Sequence, residues 1–360
     1  MSTRRPPALA FVVGLAIACA LPSAAGARKP KVASKAVTFT VKNTNRSKLG
    51  CGSDGATYQV KGHLVGPVSK VGRSSRRSKR AKRAVTLYVH GLGFGEWFWD
   101  FTAVQGYDFA TAEAKAGHAS VVIDRLGYDS SGHPEGFSTC LGAQADIAHQ
   151  IVGQLRSGGY AAEGGTAVRF KKVALAGHSA GGEIANIEAY SFRDVDALVV
   201  MSFSYSNAPR AQIAFGPTRD KCLEHGEPAE PGLPSGYAYF GTGTPEDFEA
   251  VMFHSATPAV RAAADPLRNR DPCGDDNAII PALLQQRANV KRIHAPVLVI
   301  CGTRDALYSA LGCRGQAERY TRARKVSVAL VRGAGHALTL EKQAPTFRRK
   351  LGRWLKRRGF

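Results

Sequence analysis

Acidic residues are scarce in this chain: 28 Asp and Glu stand against 49 Lys and Arg, a formal net charge of +21. Long apolar runs are scarce too. The longest, Ala8 to Leu21, is about 14 residues, short of the roughly 20 that a helix needs to cross a bilayer, so no transmembrane segment is expected. There is no internal repeat, which excludes solenoid arrays, and no Gly-rich phosphate loop. No close pair of His, Cys, Asp or Glu has metal-ligand spacing, so neither a metal nor a cofactor is expected. What is present is a core: 44% of residues are hydrophobic, 8% aromatic, and 39 are glycine. That balance excludes a disordered, fibrous or coiled-coil chain. The length of 360 residues allows two domains, although large α/β domains run past about 250 residues as one piece.

Residues 1–27 stand apart, with Arg4 and Arg5, then the apolar stretch, then Ala25-Gly26-Ala27 as an A-x-A site. This pattern predicts a cleavable export signal and a secreted, periplasmic or cell-envelope protein. Thr3-Arg4-Arg5 also permits a twin-arginine route. Cys19 weakly resembles a lipidation site, but Ala16 occupies the place of the expected large aliphatic residue. Loss of Arg4 and Arg5 leaves 49 − 2 = 47 basic residues, so the mature chain carries 47 − 28 = +19. Six cysteines remain: Cys51, Cys140, Cys222, Cys273, Cys301 and Cys313. An even count in an exported chain suggests disulfides over buried thiols, and six cysteines allow 15 pairings. Cys301 and Cys313 are close in sequence, Cys222 and Cys273 share one segment, and Cys51 with Cys140 is left by elimination.

The segments 35–41 and 58–65 alternate like a hairpin of half-buried strands. Residues 85–89, 120–123, 173–176, 197–201, 297–300 and 326–331 are dense in β-branched or aliphatic side chains, which suits strands covered on both faces. Helix-like stretches such as 143–155 and 183–190 lie between them. This rhythm predicts an α/β fold with a mainly parallel sheet wrapped by helices. Two segments interrupt it. Residues 70–83 hold eight basic side chains in fourteen and are expected to form a loop. Residues 207–292 are rich in Pro and Gly with one clear helical stretch, Pro245 to His254. A structureless loop that long is implausible in a compact domain, so a partly helical cap insertion is expected.

Gly177-His178-Ser179-Ala180-Gly181 matches G-x-S-x-G, in which small flanking residues let a strand turn sharply into a helix and expose the serine oxygen. The motif is short, but a strand-like run precedes it and a helix-like run follows. A serine hydroxyl is a poor nucleophile at neutral pH and needs a base, itself oriented by a third group. Asp305 follows the strand 297–300, and His336 follows 326–331. Catalytic groups in open α/β sheets gather outside the carboxyl ends of strands, so the three can converge. His90-Gly91-Leu92-Gly93 follows the strand 85–89, where the N–H groups of Leu92 and Ala180 are candidate oxyanion donors.

In these elements, together with Asp124 to Gly132, the sequence resembles the α/β-hydrolase fold family across essentially the whole mature chain. The resemblance implies the α/β-hydrolase fold and a serine hydrolase with Ser179 as nucleophile, His336 as base and Asp305 as its orienting acid. It implies a small ester-like substrate, with lactones and amides less expected. Members with an aspartate nucleophile are disfavoured because position 179 is serine. Two readings from other classes stand beside this one: an acyltransferase using the same residues, and a noncatalytic binding protein on the same fold.

Asp124 is a rival acid, but it precedes Ser179 and opens what is usually a structural loop. His178 is expected to point away from Ser179, and His90 to brace the oxyanion loop. The aromatic cluster 95–101 lines an acyl pocket or, more commonly, packs on the sheet. In the terminal stretch 347–360, Phe347, Leu351, Trp354 and Leu355 share one helical face, as in a final helix packed on the sheet. No nucleic-acid-binding motif accompanies the positive charge. Anionic lipid or cell-wall polymer is the more plausible partner, with simple solubility as the plainer alternative. The first reading predicts binding to anionic vesicles that is strong at low salt and weak at high salt, because screening shortens to about 8 Å near 0.15 M. Deleting residues 73–83 should weaken it, and equal binding to neutral vesicles in a flotation assay contradicts it.

Overall fold

A computed structural model describes residues 1–3, 30–72, 83–165, 167–206 and 209–360. The expected export signal and most of the basic stretch 70–83 lie outside the described residues. β1 (Val32–Lys42) and β2 (Thr57–Pro67) form the antiparallel hairpin that the alternation predicted, paired Val32 to Pro67 through Lys42 to Thr57. A short α1 (Val68–Val71) follows. Then come β3 (Ala84–Val89), α2 (Phe109–Lys115), β4 (Ser120–Ile123), α3 (Leu141–Ser157), the two-residue β5 (Ala161–Ala162), β6 (Lys172–His178), α4 (Ala180–Ser191) and β7 (Ala197–Met201).

The chain continues through α5 (Pro209–Leu223), β8 (Tyr237–Tyr239), α6 (Pro245–Met252), α7 (Pro258–Ala264), β9 (Arg270–Pro272) and α8 (Cys273–Asn289). It closes with β10 (Val297–Gly302), α9 (Ala310–Glu318), β11 (Val326–Val331) and α10 (Ala344–Arg357). One nine-stranded sheet has the order β11-β10-β7-β6-β3-β4-β2-β1-β5. The six strands from β11 to β4 are parallel, and β2, β1 and β5 join antiparallel. Every residue of β3, β4, β7 and β10 is buried, as their mainly aliphatic sequences suggest, whereas β11, expected to be covered on both faces, is the edge strand of the sheet and is only partly buried. α3 and α4 pack together on the sheet, and α2 packs with α10. The helices cover both faces, and the sheet's carboxyl ends open along one edge.

Segment 207–292 is more helical than its sequence suggested. Instead of one helix it carries α5, α6, α7 and α8, and β8 pairs with β9 in a separate two-stranded sheet. α6 stops at Met252 rather than His254, because Phe253 is extended (φ −117°, ψ 138°). Proline hid the helices. It sits at the first position of α6 and α7, behind Thr244 and Thr257, whose side chains accept the N–H of Asp247 and Val260; this is where its missing N–H costs nothing. Pro217 and Pro281 lie inside α5 and α8, where a proline ordinarily reads as a stop. α8 packs on α3 and α4, so the end of this segment belongs to the body of the fold.

The structure joins Cys51 to Cys140, Cys222 to Cys273, and Cys301 to Cys313. Three disulfides suit an oxidising compartment outside the cytoplasm. Among the described residues no helix is long and apolar enough to cross a membrane. At the C-terminus, Phe347, Leu351, Trp354 and Leu355 are buried, and Phe347 stacks on Phe109 of α2 at 5.7 Å. Leu351→Ala should therefore cost about 2–5 kcal/mol, while Arg357→Ala on the exposed side should stay within about 0.5 kcal/mol. Urea unfolding of the two variants checks this; equal losses would mean that α10 is not seated by its apolar face.

Candidate active site

β6 enters a turn at Ser179 and leaves it as α4. Ser179 has φ 54° and ψ −123°, a conformation that costs a non-glycine residue about 1–3 kcal/mol. The neighbouring glycines make the turn possible. A Cβ on Gly177 would lie 1.9 Å from the carbonyl of Gly181, and one on Gly181 would lie 2.3 Å from the carbonyl of Val89. The Ser179 N–H donates to Met201 O at 2.9 Å, tying the turn to the end of β7. Ser179 is buried, with 6% of its surface exposed.

Asp305 follows β10 and His336 follows β11, and their side chains meet. His336 Nδ1 lies 3.0 Å and 3.1 Å from the two Asp305 carboxylate oxygens. A carboxylate only accepts, so Nδ1 carries the proton, which leaves the Nε2 of a neutral imidazole bare. That Nε2 is buried and has no partner among the described residues. The N–H groups of Leu307 and Tyr308 donate to Asp305 Oδ1 at 2.8 and 3.0 Å and hold the carboxylate. The His336 carbonyl accepts from Ser202 Oγ (2.9 Å) and from His178 Nε2 (3.0 Å). The His178 ring lies between Phe98, stacked at 4.4 Å, and His336 at 4.7 Å. Burial first, and the neighbouring His336 second, hold the His178 pKa well below its ordinary value, so it is a neutral brace.

The turn 90–93 runs against Ser179: a Cβ on Gly91 would lie 2.8 Å from the serine Cβ. Ala180 opens α4, where N–H groups lack intrahelical partners. The turn is tied at both ends. His90 Nε2 accepts the Arg125 N–H at 3.0 Å, so its Nδ1 bears the proton and donates to Gly91 O at 2.8 Å. Burial, with Arg125 adding to it, pushes the His90 pKa far down. At the other end the Gly93 N–H donates to Asp271 Oδ1 (2.7 Å), which also accepts from Tyr128 OH (2.9 Å). Arg125 sits behind, bonding Tyr128 OH (2.5 Å) and Asp275 Oδ2 (2.6 Å). Phe248 of α6 lies against Gly93 and Phe94, and the Asn269 N–H donates to Gly93 O at 3.2 Å. Three residues of segment 207–292 thus grip this turn.

Asp124, the rival acid, is occupied elsewhere: Oδ1 accepts the Glu96 N–H (2.7 Å) and Oδ2 the Ser130 hydroxyl (2.6 Å). Phe98, Trp99 and Phe101 are core residues, so the aromatic cluster chiefly packs, with Trp97 partly buried against Phe94 and Phe101. Arg125 and Tyr128 lie in the element Asp124 to Gly132 that the sequence marked as a structural loop, whereas Asp271 carried no motif that would have marked it. Nor did two groups of potential ligands that the fold assembles from distant positions, His63 with Glu96 and Asp100, and His149 with Glu188 and Asp194.

The family described as "Alpha/beta hydrolase family" matches residues 87–349. No curated protein sequence matches the chain. Among solved structures, a monoacylglycerol lipase of Paleococcus ferrophilus is 22% identical with a TM-score of 0.56, covering 77% of this chain and 95% of that one. A thermophilic esterase from Thermogutta terrifontis is 16% identical (TM-score 0.55; 89% and 99% covered). An enol-lactonase from Burkholderia xenovorans LB400 is 14% identical (TM-score 0.56; 82% and 97% covered). At these identities the likeness shows the fold, which is the α/β-hydrolase fold.

Asp271→Ala would leave the Gly93 N–H and the Tyr128 hydroxyl unpaired, at about 1–3 kcal/mol for each buried orphan. Asp271→Asn keeps an acceptor and should cost less. Burial pushes the Asp271 carboxyl up to about 7, so the folded protein holds a proton that the unfolded chain releases near 3.9. Its contribution to stability therefore falls as pH rises between about 4 and 7. Denaturant unfolding across that window should show a flatter profile for Asp271→Asn than for wild type; an Ala variant as stable as wild type would refute the anchoring role.

Proposed function

The chain belongs to the α/β-hydrolase family, and from that premise we propose that it is an exported serine hydrolase that cleaves carboxylic esters through an acyl-enzyme on Ser179. The observation that carries this reading is the buried Asp305–His336 pair, with Nδ1 on the carboxylate and Nε2 bare, beside the Ser179 turn. His336 takes the proton of the Ser179 hydroxyl as its oxygen attacks the ester carbonyl. The N–H groups of Leu92 and Ala180 stabilise the oxyanion, each such donor contributing about 10²- to 10³-fold in rate. Collapse breaks the ester C–O bond, and His336 returns the proton to the departing alcohol. Water, activated by the same histidine, attacks the acyl-enzyme and releases the acid and Ser179. Asp305 fixes the tautomer throughout.

Similarity to a monoacylglycerol lipase, an esterase and an enol-lactonase supports an ester-like substrate. Segment 207–292 acts as the cap that shapes the acyl pocket, since Phe248, Asn269 and Asp271 contact the turn beside Ser179. The three disulfides support an extracytoplasmic location, and the excess positive charge supports association with an anionic lipid or cell-wall surface.

A fluorophosphonate should add once per chain, and Ser179→Ala should abolish both labelling and esterase activity; labelling that survives refutes the assignment. His336→Ala should lose activity almost as fully. Asp305→Asn should lose less, and a nearly active Asp305→Asn beside an inactive Asp124→Asn would move the acid to Asp124. p-Nitrophenyl esters of increasing chain length, run with and without alcohol acceptors, separate hydrolysis from acyl transfer.

A further inference from the structure

Away from the turn at Ser179, the fold buries a carboxylate, Glu188, whose hydrogen-bonding neighbour is a second carboxylate, Asp194. Glu188 lies near the end of α4 with none of its surface exposed. With both carboxylates ionised, neither oxygen of Glu188 nor Oδ1 of Asp194 just beyond the helix has a donor among the described residues; the two can hydrogen-bond each other only when one carries a proton. His149 of α3 completes the group: its Nδ1 lies 2.7 Å from Asp194 Oδ2, and one ligand atom from each of the three residues falls within 4.8 Å of the others. Its ring is held flat on Phe192, centroids 4.0 Å apart and planes 8° apart. Arg156, close enough to act on both carboxylates, is hydrogen-bonded elsewhere, donating to the Asp194 carbonyl (2.6 Å) and to Asp196 (2.8 Å).

Two carboxylates this close, one of them fully buried, must share a proton or a cation, because unpaired buried charge is strongly disfavoured. Burial, increased by Asp194, holds the Glu188 carboxyl well above the usual carboxylate range. A proton shared between Glu188 and Asp194 satisfies one oxygen of each and still leaves a buried Glu188 oxygen without a partner, whereas one divalent ion balances the charges of both residues. We propose that His149, Glu188 and Asp194 bind a divalent transition-metal ion of the zinc class, which locks the end of α4 to α3.

The donor set decides the class. One imidazole with two carboxylates suits zinc, while calcium and magnesium prefer all-oxygen sites. Bonds of about 2.0–2.2 Å place tetrahedral ligand atoms roughly 3.3 Å apart, inside the observed spread. The side chains of His149 and Asp194 are 29% and 27% exposed, so an ion has a path in and water can fill a fourth position. His63, Glu96 and Asp100 make a weaker group, since no oxygen of Glu96 or Asp100 is among the buried atoms left without a partner. Glu188 is nine residues along α4 from Ser179, about 14 Å at 1.5 Å per residue, so the ion's role is structural and does not depend on the reaction proposed above.

The test uses the full mature protein, stripped with a chelator and then titrated with zinc chloride by calorimetry while thermal unfolding is followed. One zinc per chain, with a Tm that rises with zinc concentration, is expected. Glu188→Gln keeps the shape and removes a charge. It should weaken zinc binding at least 10-fold and should leave the zinc-free protein as stable as zinc-free wild type or more so. His149→Gln, at a partly exposed position, gives a second reading free of core disruption and should also lose binding. No zinc uptake by wild type overturns the proposal, as does uptake that both variants retain, or stabilisation by calcium equal to that by zinc.

Discussion

Ser179 holds a positive-φ backbone conformation that an L-residue adopts only when its surroundings leave no alternative. Those surroundings reach across the sheet. β6 must end where β7 ends for Met201 to accept the Ser179 N–H, and β3 must lie close enough that only glycine fits at 181 against Val89. The helix that follows is set by the same constraint, because its first turn starts from Ser179. A central parallel sheet whose middle strands are buried at every residue but Lys172 supplies the rigidity. Strain at one residue is sustained by packing at dozens.

Around that turn the structure relies on neutral histidines in defined tautomers. His90 must be protonated on Nδ1 to accept from Arg125, whereas His178 must be protonated on Nε2 to donate to the His336 carbonyl. Burial favours the neutral form of each, and the hydrogen bonds then select the tautomer. A charged His178 beside His336 would oppose any positive charge arising there. Charge is instead confined one layer back, at Arg125 with Asp275, both fully buried. Removing one partner of such a pair leaves an uncompensated buried charge, which makes the 90–93 turn and the Arg125 layer a single unit.

The sheet was legible because its strands are aliphatic runs with no polar face, and the hairpin because its residues alternate. Ser179 and its glycines were legible because the turn restricts residue types locally. Asp305 and His336 were legible only by their positions after strands; that their side chains touch depends on β10 and β11 being neighbours. Segment 207–292 resisted because proline at a first helical position and proline inside a helix look alike in a sequence, and only the Thr244 and Thr257 caps distinguish the first case. Asp271 and Glu188 left no signal. Each matters through residues that are distant along the chain, Gly93 in one case and His149 in the other, and no local pattern encodes such a pairing.

Those distant pairings also define how segment 207–292 is attached. Asp271 reaches the Gly93 N–H from β9, and two residues later Cys273 opens α8 and is bonded to Cys222 of α5. α8 in turn packs on α3 and α4. The segment is therefore fixed at its far end by a helix of the body and a disulfide, and at the turn by one buried carboxylate. Between these anchors the loops on either side of β8 carry positive-φ glycines, at 226, 232 and 236 before it and at 241 and 243 after it. β8 is paired with β9, and Phe248 and Asn269 touch the same turn as Asp271, so a change of shape in the middle portion would reach the 90–93 turn. The insertion and the turn beside Ser179 therefore hold their shapes together, through a buried carboxylate, a backbone hydrogen bond and an aromatic contact.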